Sequence, residues 1–126
     1  MMLLDTCAIL WLAGGGDRLS RETLAAIDLE AVVTVSAISA FEIALKYRKE
    51  KLVLPMPAEE WWERIVDHHR LDVLDLSPAI VMGATRLPDI HRDPADRFII
   101  ATALEHNSPV VTADRRFTEY GVQVLG

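Results

Sequence analysis

Four acidic residues stand near the ends of apolar runs or near the starts of helical patterns: Asp5, Glu42, Asp96 and Asp114. Asp5 and Asp114 follow short β-prone runs, whereas Glu42 and Asp96 fall within predicted helices. In open parallel sheets, functional sites lie at the carboxyl ends of the strands. We therefore expect the four carboxylates to converge, and converging carboxylate oxygens are the ligands that divalent cations prefer.

Each of these acids, taken singly, also has a purely structural explanation. Asp5 could cap the helix that follows it, and Asp114 could belong to a turn. Glu42 stands three residues after Ser39, which is the spacing of a capping box. Asp96 lies in the first turn of a helix, where a negative charge is favourable. No single acid therefore distinguishes a structural role from a functional one, and only the four acids together can do so.

The helical faces favour the functional interpretation. Asp96 stands three and four residues before Ile99 and Ile100, which is the spacing of a core-facing stripe. Glu42 is expected on an inner stripe as well, with Ile38, Phe41 and Leu45. Acids that face the interior need a cation to offset their desolvation and mutual repulsion. The sequence therefore predicts a metal site.

The available cations and the other metal-ligating residues narrow the choice of ion. Lys46 could pair with Glu42 and Arg97 with Asp93, because each cation follows its acid by four residues. No histidine or cysteine accompanies the acids with zinc-site spacing, and the adjacent pair His68-His69 points apart. An oxygen-only ligand set favours Mg²⁺ or Mn²⁺.

Alternating apolar runs and helical patterns predict an α/β sandwich with a mostly parallel sheet. Strands are expected at Met2–Leu4, Val32–Val35, Leu71–Leu76, Val110–Thr112 and Val122–Leu125. Helices are expected over Ala8–Leu12, Ser20 to about Leu29, Ser36 or Ser39 to about Lys49, Ala58–His69, Pro78–Leu87 and Pro94–Leu104. No repeat or linker interrupts this pattern, so we expect residues 1–126 to form one domain.

Composition limits the cellular setting. The chain has 126 residues, 51% of them hydrophobic and 25% charged, as in globular proteins. Its single cysteine, and the lack of a basic leader or of an apolar run of about 18 residues, favour a cytoplasmic protein without a membrane span. The net charge of −6 would repel a polyanion if it were evenly spread, but basic residues cluster between positions 46 and 51.

The order of four motifs resembles the PIN-domain ribonucleases, and more narrowly the VapC toxins of bacterial and archaeal toxin–antitoxin pairs. The motifs are Leu3-Leu4-Asp5-Thr6, the segments 36–43 (SAISAFEI) and 91–101 (HRDPADRFIIA), and Val111 to Phe117 (VTADRRF). The similarity extends over nearly the whole chain. It implies a three-layer α/β/α fold with a mostly parallel central sheet.

The resemblance also implies an activity and its partners: an Mg²⁺- or Mn²⁺-dependent endoribonuclease, acting on RNA as a homodimer and inhibited by a small VapB-type antitoxin. The catalytic acids of the family carry over onto Asp5, Glu42, Asp96 and Asp114, of which Asp5, Asp96 and Asp114 are the expected metal ligands. Accessory roles fall to Asp93, Thr6 and Thr112. The candidates for contact with RNA phosphates are Arg97, Arg115 and Arg116, beside the basic cluster at 46–51.

Two other functions remain open. A receiver-like signalling domain has a similar length and also gathers acids around Mg²⁺, but it needs an aspartate ending the third strand and a lysine ending the fifth. Here Asp72 and Asp75 flank the third strand poorly, and Asp114 stands where a lysine is required. A metal-stabilised binding module without catalytic turnover is the other alternative.

Overall fold

A five-stranded parallel sheet forms the centre of the protein in the computed structural model, which describes residues 1–126. Its strands are β1 (Met2–Leu4), β2 (Val33–Ser36), β3 (Asp72–Leu74), β4 (Val110–Val111) and β5 (Val124–Leu125). They pair in the order β3-β2-β1-β4-β5, and every pair is parallel. All five strands lie within or overlap the predicted runs, and the predicted parallel sheet is confirmed.

Six α-helices connect the strands: α1 (Thr6–Ala13), α2 (Arg21–Leu29), α3 (Ala37–Arg48), α4 (Ala58–His68), α5 (Pro78–Thr85) and α6 (Pro94–His106). Side-chain caps begin most of them, as the sequence predicts. Ser20 caps α2 and Ser77 caps α5, each by accepting a hydrogen bond from a first-turn backbone N–H. A 3-10 helix over Arg115–Tyr120 was not predicted, because one short turn shows no hydrophobic period. No helix is both long and apolar enough to cross a membrane.

Two buried cores, one on each face of the sheet, give the three layers that were predicted. Leu4 belongs to a core with Ile9 of α1 and Ile27 of α2. The neighbouring Leu3 points to the opposite face and packs with Ile99 of α6. This alternation follows from the two-residue period of a strand, and it explains why β1 is apolar at every position.

The expected inner stripe of α3 is wrong in part. Phe41 is 59% exposed and Leu45 is 37% exposed, whereas Ser39 and Ile43 are buried. Of the predicted stripe, only Ile38 packs against a core. Apolar residues occupy more than one side of this helix, so the sequence period does not specify which side faces inward. The helix also begins after Ser36, so Ser39 and Glu42 do not form a capping box.

Candidate metal and catalytic site

The predicted acids converge at the carboxyl edge of the sheet, beside the neighbouring strands β1 and β4. The chain leaves β1 for β2 on one side and reaches β4 on the other, and such a reversal of strand order opens a crevice. A cavity of about 320 Å³ lies there. It is lined by Asp5, Thr6, Cys7, Trp11, Glu42, Lys46, Asp93, Asp96, Ala113 and Asp114.

Asp5 caps α1 and also lines the cavity. Its carboxylate accepts a hydrogen bond of 2.8 Å from the backbone N–H of Ala8 and so caps α1. The same residue is only 6% exposed and lines the cavity. Burial raises the pKa of Asp5, and hydrogen bonds from Thr112 and Ala8 oppose that shift, while the charges of Glu42 and Asp114 add to it.

Glu42 is held by a short chain of hydroxyl groups. The Thr6 hydroxyl donates to Glu42 Oε1 at 2.5 Å, and Ser39 Oγ lies 2.9 Å from Thr6 Oγ1. Because the Thr6 hydrogen is engaged with the carboxylate, Ser39 donates to Thr6. The predicted pair of Lys46 with Glu42 is present, with Nζ 3.9 Å from Oε2. The buried polar face of α3 thus orients an acid towards the cavity.

Asp96 and Asp114 have opposite electrostatic environments. Burial, reinforced by the nearby charge of Asp93, raises the pKa of Asp96 to about 7. The pKa of Asp114 is held well below its usual range, first by the side chain of Arg116. That guanidinium donates to Oδ1 at 3.0 Å and to Oδ2 at 2.8 Å, a charge-assisted bidentate contact. Thr112 also fixes this turn, since its hydroxyl accepts from the Asp114 backbone N–H.

Arg97 does not behave as the sequence suggested. It makes no ion pair with Asp93, and the carboxylate nearest to it is that of Asp89, at 4.0 Å. Its guanidinium instead donates to four backbone carbonyls, those of Ala84, Leu87, Pro88 and His91. Because these bonds occupy the donors, Arg97 holds the loop before α6 in place and is withdrawn as a candidate for phosphate contact. Arg115 and Arg116 are exposed beside the cavity and remain candidates.

A histidine accompanies the acids, contrary to the expectation from spacing. His91 Nε2 lies 2.8 Å from Asp114 Oδ2 and 3.1 Å from Asp96 Oδ2, and the residue is 4% exposed. Sequence spacing could not reveal it, because the contact with Asp114 joins residues that are 23 positions apart. The only local signal was the position of His91 two residues before Asp93, the cap of α6.

The residues around the cavity fit a divalent metal ion. Asp5, Asp96 and Asp114 present carboxylates there, and Lys46 is the only cationic side chain among the lining residues. Burial is the main reason that the pKa values of Asp5 and Asp96 are raised, and the charges of neighbouring carboxylates add to both shifts. Ligand atoms of His91, Asp96 and Asp114 all lie within 4.8 Å of one another. A hard cation with oxygen ligands would relieve the repulsion.

Comparison with known proteins agrees with this geometry. Residues 2–123 match the family described as the PIN domain. The chain is 35% identical over 120 residues to a protein named Ribonuclease VapC22 from Mycobacterium tuberculosis (strain ATCC 25618 / H37Rv), an alignment that covers 94% of this chain and 91% of the relative. The match thus extends across almost all of both sequences.

Solved structures with lower sequence identity share the fold. The crystal structure of VapBC2 from Rickettsia felis bound to a promoter DNA fragment superposes with a TM-score of 0.74 at 15% identity, covering 98% of this chain and 96% of the other. The crystal structure of FitAcB from Neisseria gonorrhoeae gives 0.69 at 23% identity, covering 100% and 97%. With the family match over residues 2–123, these similarities lead to one conclusion: the chain belongs to the PIN-domain family.

Proposed function

We propose that this protein is an endoribonuclease that depends on Mg²⁺ or Mn²⁺ and acts as the toxin of a VapBC-type toxin–antitoxin pair. The observation that carries the proposal is the convergence of Asp5, Asp96 and Asp114 on one cavity at the carboxyl edge of the sheet. The similarity to Ribonuclease VapC22 supports RNA as the substrate class. Carboxylate oxygens at the expected ligand positions Asp5, Asp96 and Asp114 support a hard divalent ion.

The side chains divide the work of phosphodiester hydrolysis between them. Asp5, Asp96 and Asp114 would hold the metal, which would supply Lewis acidity to lower the pKa of water and to neutralise charge on the scissile phosphate. Glu42, fixed by Thr6, orients the attacking water or contributes to a second ion position. Water, and not the 2′-hydroxyl of the RNA, is the nucleophile in this scheme, so no 2′,3′-cyclic phosphate forms. Water attacks phosphorus as the bond to the 3′-oxygen breaks, and the products carry a 5′-phosphate and a 3′-hydroxyl.

Cations on both sides of the cavity support a polyanionic substrate despite the net charge of −6. Lys46 lines the cavity, and Arg48, Lys49 and Lys51 extend the positive charge along the exposed end of α3. On the other side, Arg116 is half-exposed while it pairs with Asp114. Such cations position phosphates without reading base sequence. The basic end of α3 also complements the helix dipole, which is a structural role that these cations have without RNA.

The first test is cleavage by the purified protein. We expect a labelled RNA to be cut in the presence of Mn²⁺ or Mg²⁺, and cleavage to stop on addition of EDTA and to resume when excess metal is restored. End-group analysis should find 5′-phosphates. A binding module would retain RNA in a filter assay without cutting it. Cleavage that persists in EDTA would contradict the metal-dependent mechanism.

A small inhibitory partner is the second part of the proposal, supported by the resemblance to VapC toxins; a homodimer is proposed on the same basis. We expect expression of this chain alone to arrest growth, because a nuclease with a preassembled site damages host RNA. Co-expression of the adjacent small open reading frame should restore growth. An Asp5→Asn variant should be harmless, as a control for general toxicity of expression. Growth unaffected by a demonstrably active enzyme would argue for RNA processing instead of a toxin role.

A further inference from the structure

We propose that His91 is a positioning residue of this site: its Nε2–H donates to Asp114 and lies 3.1 Å from an oxygen of Asp96, so it holds the two carboxylates together, while the imidazole itself does not bind the metal. The inference rests on the proposed metal site and assigns a role to a residue that the mechanism above does not use. Its basis is the buried position of the ring between the two acids.

The hydrogen bonds of His91 define which ring nitrogen carries the hydrogen. Nδ1 accepts a hydrogen bond of 3.2 Å from the backbone N–H of Asp93, so it has a free lone pair and no hydrogen. This hydrogen bond places the ring hydrogen on Nε2, which lies 2.8 Å from Oδ2 of Asp114 and 3.1 Å from Oδ2 of Asp96. A nitrogen that carries a hydrogen and donates it to Asp114 has no lone pair for a metal ion.

The surrounding structure keeps the ring in this place. The backbone N–H of His91 donates to the Tyr120 hydroxyl at 2.7 Å, and its carbonyl accepts from Arg97 at 3.1 Å. The Tyr120 hydroxyl in turn donates to the carbonyl of Pro88 at 2.8 Å. The imidazole meets the Phe117 ring edge-on, with 6.0 Å between centroids. Both the loop and the ring are therefore fixed from several directions, as second-layer residues of metal sites commonly are.

The position of the His91 Nε2–H between Asp96 and Asp114 reduces the repulsion between the two carboxylates. Asp96 and Asp114 carry like charges on neighbouring segments, and Arg116 binds Asp114 from the exposed side. Without a donor between the acids, repulsion and the arginine would both move Asp114 away from Asp96. The Nε2–H of His91 opposes this movement by attracting one oxygen of each carboxylate. The site is thus prearranged before a metal arrives, which lowers the cost of binding.

Two substitutions separate this role from simple packing. In His91→Gln the side-chain amide can place an N–H near the former Nε2, whereas His91→Leu fills a similar volume without a donor. We expect the leucine variant to bind Mn²⁺ about 10–100-fold more weakly by calorimetry, with cleavage largely restored at saturating metal. The glutamine variant should bind Mn²⁺ within about threefold of wild type, by the same reasoning. Equal Mn²⁺ affinity of the leucine variant and wild type would overturn the proposal.

The tautomer provides a test that needs no variant to fold and no RNA. Long-range ¹H–¹⁵N spectra of the wild-type imidazoles should show a hydrogen on Nε2 of His91 and none on Nδ1, both in EDTA and after addition of Mg²⁺. Loss of that hydrogen on metal addition would identify His91 as a metal ligand. A hydrogen on Nδ1 would refute the proposed positioning role of His91. If these spectra and the Mn²⁺ affinities agree with the proposal but wild type cuts no RNA, the nuclease assignment fails and the role of His91 stands.

Discussion

Replacing Asp5 with asparagine should reduce RNA cleavage by about a thousand-fold or more, since one metal ligand contributes several kcal/mol to transition-state stabilisation. The protein should nevertheless remain folded. Asparagine caps helices as well as aspartate does, so the hydrogen bond from the Ala8 N–H to this side chain is retained. The buried carboxylate has a raised pKa, so replacing it with a neutral amide also removes a destabilising charge.

Initial rates with labelled RNA, together with thermal unfolding in EDTA, test this expectation. Asp5→Ala would be a poorer variant, because it also removes the cap of α1 at a cost of about 1 kcal/mol. Asp28→Asn is the matched control: Asp28 is exposed near the end of α2 and lies outside the cavity. We expect the control to cleave RNA at the wild-type rate. Cleavage by Asp5→Asn within tenfold of wild type would mean that Asp5 is only a helix cap.

The metal-free Asp96→Asn variant should melt at a higher temperature than metal-free wild type. The carboxyl of Asp96 has its pKa raised to about 7 by burial, so its ionised form destabilises the fold. With about 1.4 kcal/mol per pKa unit, this cost is on the order of 2–4 kcal/mol at pH 8. In a chain of this size, with an unfolding entropy of about 2 cal/mol/K per residue, the midpoint should rise by about 8–15 °C when the charge is removed.

The raised pKa of Asp96 also predicts how the stability of the metal-free protein changes with pH. A carboxyl whose pKa is raised in the folded state binds a proton more tightly there than in the unfolded chain. Metal-free wild type should therefore gain stability as the pH falls from about 7 towards 4, and lose it as the pH rises through about 7. The slope should be smaller in Asp96→Asn. It should not vanish, because the pKa of Asp5 is raised as well.

Melting curves of both proteins between pH 5 and pH 8, with EDTA and with Mg²⁺, measure these effects together. Mg²⁺ binds only the folded state, so it should stabilise wild type by about 2.7 kcal/mol at one hundred times its dissociation constant. The shift in Asp96→Asn should be smaller, because one ligand charge is missing. Equal Mg²⁺ shifts in the two proteins would mean that Asp96 serves only the start of α6.

The sequence contained enough information to predict where the acids would meet. β1 is apolar at each position, and Asp5 follows it directly, so its place at the edge of a parallel sheet followed from the strand. The Asp93-Pro94 pair likewise predicted the start of α6 and put Asp96 in its first turn. These are local signals: a run of apolar residues, a cap and a proline of fixed φ.

The parts that escaped prediction depend on contacts between distant segments. Nothing near His91 in the sequence indicates that its ring meets Asp114, since that contact needs the sheet to bring β4 beside the start of α6. The guanidinium of Arg97 donates to loop carbonyls. Residue types do not indicate where backbone carbonyls will point, so these contacts could not be predicted. The prediction that Phe41 lies on the inner face of α3 was wrong for a related reason. An apolar side chain does not reveal whether it faces the core or the solvent.

The pairing of β1 with β4 has a consequence for how the protein is made. Leu3 pairs with Val110, so β1 leaves the ribosome about a hundred residues before the β4 strand that it pairs with. The cavity that Asp5 lines cannot form until Asp96 and Asp114 have been synthesised as well. A nascent chain therefore carries no assembled nuclease beside the messenger that encodes it. In the proposed toxin, damage to RNA therefore cannot begin before α6 and β4 have been synthesised.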